Sequence, residues 1–200
     1  MPKRPPQRLA ALTAWQVLVH EAGIQKGQHL LMHAAAGGVG HYAVQIAKHF
    51  GATVTGTASA ANAAYLKELG VDAVIDYTSE DFEAKIKDVD IVFDPLGGEI
   101  TQRSLNVLKP GGTLISIVGG VKENLASVVS EKNIKAKNYL VHSSGEDMAQ
   151  IARMLEQGKL RSTVSHQFAF TEMAKAHQQI ETGKTKGKVV VSTFTAEQKM

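Results

Sequence analysis

The sequence contains no cysteine, no long apolar run and few aromatic residues. Without cysteine, the 200-residue chain forms neither disulfide bonds nor thiolate zinc sites, which fits a reducing cytoplasm. No segment approaches the roughly 18 uninterrupted apolar residues that a membrane-spanning helix requires. The basic start MPKRPPQR is not followed by the apolar region of a secretory signal. We therefore expect a cytoplasmic protein without a membrane span.

The chain has no large excess of positive or negative charge, since its net charge is only +3. Aromatic residues make up 6% of the chain. A nucleic-acid-binding surface needs a dense basic face with interleaved aromatic side chains. Lys3, Arg4 and Arg8 cluster at the start, but most other basic residues alternate with acidic ones. We interpret residues 1–9 as a solvated basic tail and expect no nucleic-acid partner.

Metal sites and hydrolytic nucleophiles are not indicated either. The eight histidines are scattered, and no trio of acidic residues lies near them, so we expect no metal ligands. Ser143 and Ser144 follow His142, but no G-x-S-x-G elbow surrounds them, which disfavours a hydrolase. Asp94 ends a predicted strand, and capping of the following loop is preferred over a role in a ligand pocket.

The sequence does contain a regular alternation of strand-like and helix-like segments. The predicted strands cover residues 29–34, 53–57, 73–75, 89–94, 113–118 and 139–142. The predicted helices between them cover residues 39–50, 60–69, 79–87 and 99–108, with Ser79 as an N-cap. Strands separated by helices form parallel βαβ units with right-handed crossovers. The predicted fold class is therefore α/β, with a doubly wound, six-stranded parallel Rossmann sheet in residues 10–163.

Residues 164–200 form a separate C-terminal segment in this interpretation. After a helix predicted at residues 145–157, the segment holds strands at residues 164–168 and 188–193. A helix at residues 171–181 lies between these two strands.

A glycine-rich turn, AAAGGVG, occupies residues 34–40 between the first strand and the first helix of the sheet. The dinucleotide fingerprint G-x-G-x-x-G finds Gly37 and Gly40 in its last two glycine positions, but Ala35 in the first. Gly37 and Gly38 let backbone amides close around a pyrophosphate, and Gly40 lets the helix pack tightly on the sheet. Ala35 is compatible if its φ is negative. A tight turn without a ligand is the alternative, and the strand–turn–helix context favours the dinucleotide.

The end of the second strand indicates which dinucleotide is preferred. No acidic residue follows Gly40 until Glu68, so nothing there binds the ribose hydroxyls of NAD or repels the extra phosphate of NADP. This favours NADPH over NADH, although the loop also lacks a basic residue for that phosphate. Ser59 is either a hydroxyl donor to the cofactor or a helix N-cap. Lys67 lies one helical turn beyond Ala63, and it either reaches back to the phosphate of the cofactor or is solvated.

Six motifs together resemble the zinc-independent quinone oxidoreductases of the medium-chain dehydrogenase/reductase superfamily. They are ALTAWQVL (11–18), AAAGGVGHYAVQIAK (34–48), LGVDAVIDY (69–77), VDIVFDPLGGE (89–99), LKPGGTLISIVGG (108–120) and GKTKGKVVV (183–191). The resemblance covers nearly all of residues 10–193. It implies an oxidoreductase that transfers hydride from NADPH to a small-molecule quinone or enone without a metal.

The resemblance also implies positions for the cofactor. Thr13 matches a threonine near the nicotinamide, and Tyr77 matches a tyrosine beside the adenosine 2′-phosphate. The residues that match the pyrophosphate loop are Ala36, Gly37, Gly38, Val39 and Gly40. Gly119 and Gly120 match the loop under the nicotinamide. The family's basic residue of the second-strand loop falls on Ala63, and no residue stands out as a catalytic general acid.

Members of this family begin with a GroES-like domain that forms one wall of the substrate cleft. This chain begins about where the cofactor domain is expected, so we expect residues 164–200 to lack part of their packing surface and to expose an apolar patch. The family also implies a homodimer through the sheet edge, for which residues 114–118 are the candidate strand. The alternative function is a non-catalytic NAD(P)-binding module or a truncated fragment. A methyltransferase-like domain is disfavoured because no acidic residue follows the second strand.

Overall fold

A twisted parallel sheet organises the molecule. The computed structural model describes residues 8–193. The strands are β1 (His29–Met32), β2 (Thr53–Ala58), β3 (Ala73–Asp76), β4 (Val89–Asp94), β5 (Leu108–Ser116) and β6 (Lys135–Asn138). All neighbouring strands are parallel, in the order β3-β2-β1-β4-β5-β6. The strand order reverses between β1 and β4, which confirms the predicted doubly wound fold.

Helices cover both faces of this sheet. They are α1 (Arg8–Trp15), α2 (Gly40–His49), α3 (Ala63–Glu68), α4 (Phe82–Lys85), α5 (Gly98–Ser104), α6 (Ala126–Glu131) and α7 (Gly145–Glu156). The first of them continues as a π-helix, Gln16–Glu21. Among residues 8–193, no helix is both long and apolar enough to cross a bilayer.

The C-terminal part adds a small second sheet. It consists of β7 (Val164–Ala169) and β8 (Lys188–Ser192), which pair in parallel, with α8 (Met173–Glu181) between them in the chain. Short 3-10 turns precede three of the helices, at Ala60–Asn62, Glu123–Leu125 and Phe170–Glu172. The sheet begins at Val164, where the sequence places the start of the C-terminal segment.

Alternate side chains of the central strands pack into two separate cores. On β1, Leu30 and Met32 join the core beneath α1, α2 and α7, whereas Leu31 joins the core on the opposite face. All three side chains are fully buried. Strands covered on both faces read as continuous apolar runs, which explains why the sequence located these strands well.

Two predicted elements are wrong in position. The sixth strand is Lys135–Asn138 rather than residues 139–142, because its polar sequence KAKN carries no apolar signature. The helix predicted at residues 79–87 corresponds to α4, which covers only Phe82–Lys85. Asp81 caps it by accepting a hydrogen bond of 3.1 Å from the Glu83 amide. Ser79 is therefore not the N-cap, and its hydroxyl donates to the Asp76 carboxylate instead, at 3.1 Å.

The predicted dimer edge at residues 114–118 is also wrong. Leu114 and Ile115 lie in β5, which pairs with β4 on one side and with β6 on the other. The outer strands of the sheet are β3 and β6. On β6, Lys135 and Lys137 are exposed, and edge lysines oppose pairing between strands of two molecules. A homodimer stays a prediction, and a sheet-edge contact would have to involve β3 or β6.

Candidate functional site

The glycine turn connects β1 to α2 and uses alanine where the fingerprint has its first glycine. The left-handed conformation falls on Ala34, with φ 48°, while Ala35 stays outside the positive-φ region, as the sequence requires. The Ala35 methyl group fills space above β2, since a Cβ on Gly56 would lie only 2.7 Å from it. Alanine is thus accommodated at position 35 because glycine stands opposite on β2.

Gly40 allows α2 to approach the turn closely. A Cβ at this position would lie 2.4 Å from the Ala34 carbonyl oxygen and 2.7 Å from that of Ala35. Real side chains do not tolerate such distances, so this glycine is required by packing alone. The next turn of the helix is fixed by His41, whose Nδ1 donates to the Gly37 carbonyl oxygen at 2.9 Å. Burial lowers the pKa of His41 to about 4, so the ring is neutral at pH 7.

A cavity of about 800 Å³ opens at the carboxyl ends of β1, β2 and β3, beside the turn. Four of the predicted cofactor residues line it: Ala36, Gly37, Ser59 and Tyr77. The other six predicted positions do not line this cavity; they are Thr13, Gly38, Val39, Gly40, Gly119 and Gly120. Ligands of open α/β sheets bind in the crevice outside the carboxyl ends of the strands, where this cavity lies.

Polar groups at the end of β2 and β3 form the outer part of the cavity. Ser59 occupies the cap position of the 3-10 turn Ala60–Asn62, but its side chain makes no capping hydrogen bond. Its hydroxyl oxygen instead accepts from the Asn62 side-chain amide at 3.2 Å. Tyr77 is 63% exposed at the rim. Lys67 does not line the cavity.

His33 forms part of the inner wall and is held by a complete hydrogen-bond network. Its ring nitrogens lie 3.2 Å from the Thr57 hydroxyl and 2.9 Å from the Ser104 hydroxyl. The Ser104 hydroxyl itself donates to the Ile100 carbonyl, so it accepts from His33 Nε2. Burial lowers the pKa of His33 to about 4. The ring is therefore a neutral, fixed wall and not a proton donor at pH 7.

An arginine also lines the cavity, but its charge is already balanced. The guanidinium of Arg103 lies 4.8 Å from the centre of the Phe82 ring. It forms ion pairs with Asp81 and Glu83. The pKa of Arg103 is raised by its hydrogen bond to Glu83. The guanidinium of Arg103 is thus already paired with the two carboxylates at the start of α4.

The C-terminal segment supplies residues that the sequence interpretation missed. Gly183, Lys184 and Thr185 line the cavity, and the Gly187 amide donates to the Ala36 carbonyl oxygen at 2.9 Å. The half-buried Lys188 places Nζ 3.1 Å from the Cβ position of Gly38. Burial lowers the pKa of Lys188. The available signal is the motif GKTKGKVVV (183–191), which places three lysines within five residues.

Three of the predicted positions, namely Thr13, Gly119 and Gly120, lie outside the turn. Thr13 is buried in α1, and its hydroxyl donates to the Leu9 carbonyl oxygen at 2.7 Å. Gly119 and Gly120 follow β5, and a Cβ on Gly120 would lie 2.1 Å from the Thr101 hydroxyl. Beneath this loop, Asp94 accepts from the amides of residues 96 and 97 at 2.8 and 3.0 Å. The capping role expected of Asp94 is confirmed.

The side chains of residues 8–193 do not assemble into a zinc site. The sequence provides no cysteine. In the part of the chain that the structure describes, no three His, Asp or Glu side chains converge into a group that could hold a metal ion. Hydrogen bonds inside the fold instead engage both ring nitrogens of His33 and the Nδ1 of His41.

Comparison with known proteins gives consistent matches. Residues 69–191 match the family described as zinc-binding dehydrogenase. The chain is 31% identical over 210 residues to the mitochondrial NAD(P)H oxidoreductase RTN4IP1 of Danio rerio, covering 91% of this chain and 54% of that protein. It is 35% identical over 188 residues to 2-methylene-furan-3-one reductase of Solanum lycopersicum, covering 92% and 45%. The solved structure of the quinone oxidoreductase from Coxiella burnetii superposes with a TM-score of 0.85 at 35% identity, covering 96% and 59%. The chain thus spans about half the length of the curated relatives it matches.

Proposed function

Because the chain belongs to the zinc-binding dehydrogenase family of the medium-chain dehydrogenase/reductase superfamily, we propose that it is the coenzyme-binding part of an NADPH-dependent quinone or enone reductase. The observation that carries the proposal is the cavity of about 800 Å³ that begins at the glycine turn and reaches Ser59 and Tyr77. Its position at the carboxyl ends of parallel strands is that of a dinucleotide site.

The backbone of the turn is suited to a pyrophosphate. Among residues 8–193, the amides of Gly38 and Val39 donate to no protein acceptor. Both precede the first residue of α2, where free amides and the helix dipole favour a negative charge. In this arrangement Ala36, Gly37, Gly38, Val39 and Gly40 surround the pyrophosphate, as the family resemblance predicts.

Lys188 provides the matching positive charge. Within the described residues its ammonium group forms no ion pair, although it is half-buried beside Gly38. Burial disfavours the protonated form of an amine that has no counter-charge. It therefore lowers the pKa of Lys188. A phosphate at the turn would supply the missing counter-charge and stabilise the protonated form.

The nicotinamide half belongs on the opposite side of the turn, over β4 and β5. The Gly119–Gly120 loop there is held from below, since the Gly120 amide donates to the Ser116 hydroxyl at 3.0 Å. Thr13 and these two glycines are the proposed nicotinamide contacts. When bound, the nicotinamide supplies hydride to an electron-poor carbon of the quinone or enone. The protein's own part is to hold and orient the ring and to exclude water.

We propose that the substrate cleft needs a second wall, of the kind that the GroES-like domain forms in the family. The C-terminal segment exposes Phe170 and Ile180, at 60% and 58%, and we propose that such side chains contact this second wall. We propose that the isolated chain binds coenzyme and turns over slowly, because an unoriented acceptor loses most of the advantage of proximity. A cytoplasmic location and a homodimer are part of the same proposal.

Coenzyme oxidation in the presence of a panel of quinones and enones tests this function. The assay follows the loss of NADPH absorbance with this chain alone and with a chain that carries an added GroES-like domain. We expect slow or no oxidation by the first protein and faster oxidation by the second. Coenzyme binding by both without turnover in either would favour the non-catalytic binding module, and equal rates would contradict the role of the second wall.

A further inference from the structure

Among the ion pairs within residues 8–193, one cation at the cavity has no counter-ion. Three of its lining residues are basic, namely His33, Arg103 and Lys184. The burial-lowered pKa of His33, about 4, leaves its ring neutral at pH 7, and Arg103 is paired with Asp81 and Glu83. Lys184 forms no ion pair with any residue between 8 and 193. An anionic group that enters the cavity therefore meets Lys184 as its available charge partner.

One acidic side chain lines the same cavity, but its charge is also balanced. Glu80 forms an ion pair of 2.7 Å with Lys85. It also accepts a hydrogen bond of 3.0 Å from the Asp76 amide. Its pKa is lowered first by the hydrogen bond from Lys85. Glu80 thus contributes little repulsion toward a phosphate.

The loop that carries Lys184 is anchored on both sides. Before it, the Thr182 hydroxyl accepts from the Lys184 amide at 3.2 Å, and after it the Thr185 hydroxyl donates to the Gln179 carbonyl at 3.1 Å. Further along, Gly187 is hydrogen-bonded to Ala36 of the glycine turn. These contacts keep the loop at the cavity, where Lys184 is a lining residue together with Ser59 and Tyr77.

We propose that Lys184 binds the adenosine 2′-phosphate of NADPH and thereby sets the preference for NADPH over NADH. The inference rests on the proposed function. The sequence from Ser59 to Ala63 after β2 offers hydroxyl and amide groups but no positive charge. A phosphate monoester carries nearly two negative charges at pH 7 and needs a cationic donor. In this chain the C-terminal segment provides that donor across the cavity.

Two nucleotide fragments test the proposal by isothermal titration calorimetry. The probes are 2′,5′-ADP, which carries the 2′-phosphate, and 5′-AMP, which does not. We expect the wild-type chain to bind 2′,5′-ADP more tightly. The K184A variant should weaken 2′,5′-ADP by about tenfold, the worth of one charge-assisted contact, and leave 5′-AMP unchanged. K184R should retain most of the affinity, which also shows that the loop still folds.

Lys186 provides a matched control two residues away. Its ammonium lies 5.6 Å from the centre of the Tyr65 ring, and it does not line the cavity. The K186A variant removes the same charge from the chain and should leave both affinities unchanged. Equal losses in K184A and K186A, or no loss in K184A, would overturn the assignment of Lys184. Failure of the wild-type chain to bind either nucleotide would instead overturn the proposed function, and this inference with it.

Discussion

The Gly187 amide donates a hydrogen bond of 2.9 Å to the carbonyl oxygen of Ala36. This bond joins the start of β8 to the glycine turn, although 150 residues of sequence separate the two regions. The C-terminal segment thus contacts the turn that we propose binds the coenzyme. Both lysines that we assign to phosphate groups, Lys184 and Lys188, flank this bond in the sequence.

Substitution of Gly187 should therefore damage both stability and binding. Its φ is +55°, and a Cβ would lie 2.3 Å from the Thr163 carbonyl oxygen. We expect Gly187→Ala to lower the free energy of unfolding by about 1–3 kcal/mol and to weaken NADPH binding. Urea unfolding and calorimetry measure the two effects. Gly183→Ala is the control, since its φ is +66° but no atom lies within 4 Å, and a loss as large as that of Gly187→Ala would refute the steric explanation.

The two glycines at the start of α2 should respond differently to alanine. Gly40→Ala brings a methyl group against two backbone carbonyls, so we expect a loss of about 1–3 kcal/mol in stability. In Gly38→Ala the new methyl group would lie 3.1 Å from the movable Lys188 Nζ and in ordinary contact, at 3.4 Å, with the Gly187 carbonyl oxygen, so stability should change little while NADPH binding weakens. Thermal and urea unfolding of both variants, with coenzyme titration, separate these roles. Equal destabilisation by both substitutions would contradict them.

Ala35 and Gly56 should behave as a coupled pair. A methyl group on Gly56 would lie 2.7 Å from the Ala35 methyl, so Gly56→Ala should cost about 1–3 kcal/mol. Combining it with Ala35→Gly removes the clash and should restore most of the loss. A double-mutant cycle of unfolding free energies measures this coupling. Additive effects in the double variant would show that the two side chains do not compete for the same space.

Acid should destabilise the fold through its buried histidines. The pKa of both His33 and His41 is lowered to about 4 by burial, against about 6.5 in the unfolded chain. The unfolded state therefore binds more protons between these values, and stability falls as pH decreases from about 6.5 to about 4. His33→Gln should flatten this dependence in urea unfolding between pH 7 and 4.5. The exposed His177→Gln should preserve it, and an unchanged slope in His33→Gln would argue against the role of burial.

The parts of the fold predicted well are those in which local sequence and burial agree. The strand Val89–Asp94 matches its predicted bounds because both of its faces are covered by apolar side chains. The edge strand Lys135–Asn138 escaped recognition because an exposed edge needs no apolar pattern. The residues of the candidate site are predictable only in part for a different reason. The turn at Gly37 is a local motif, whereas Lys184 and Lys188 reach the site through contacts across the chain that no local pattern records.

Calorimetric titration of the chain with NADPH and with NADH tests the central claim most directly. We predict one NADPH molecule per chain, bound more tightly than NADH, because no carboxylate ends β2 and Lys184 lines the cavity without an ion pair to any residue between 8 and 193. Absence of binding, or tighter binding of NADH, would contradict the account.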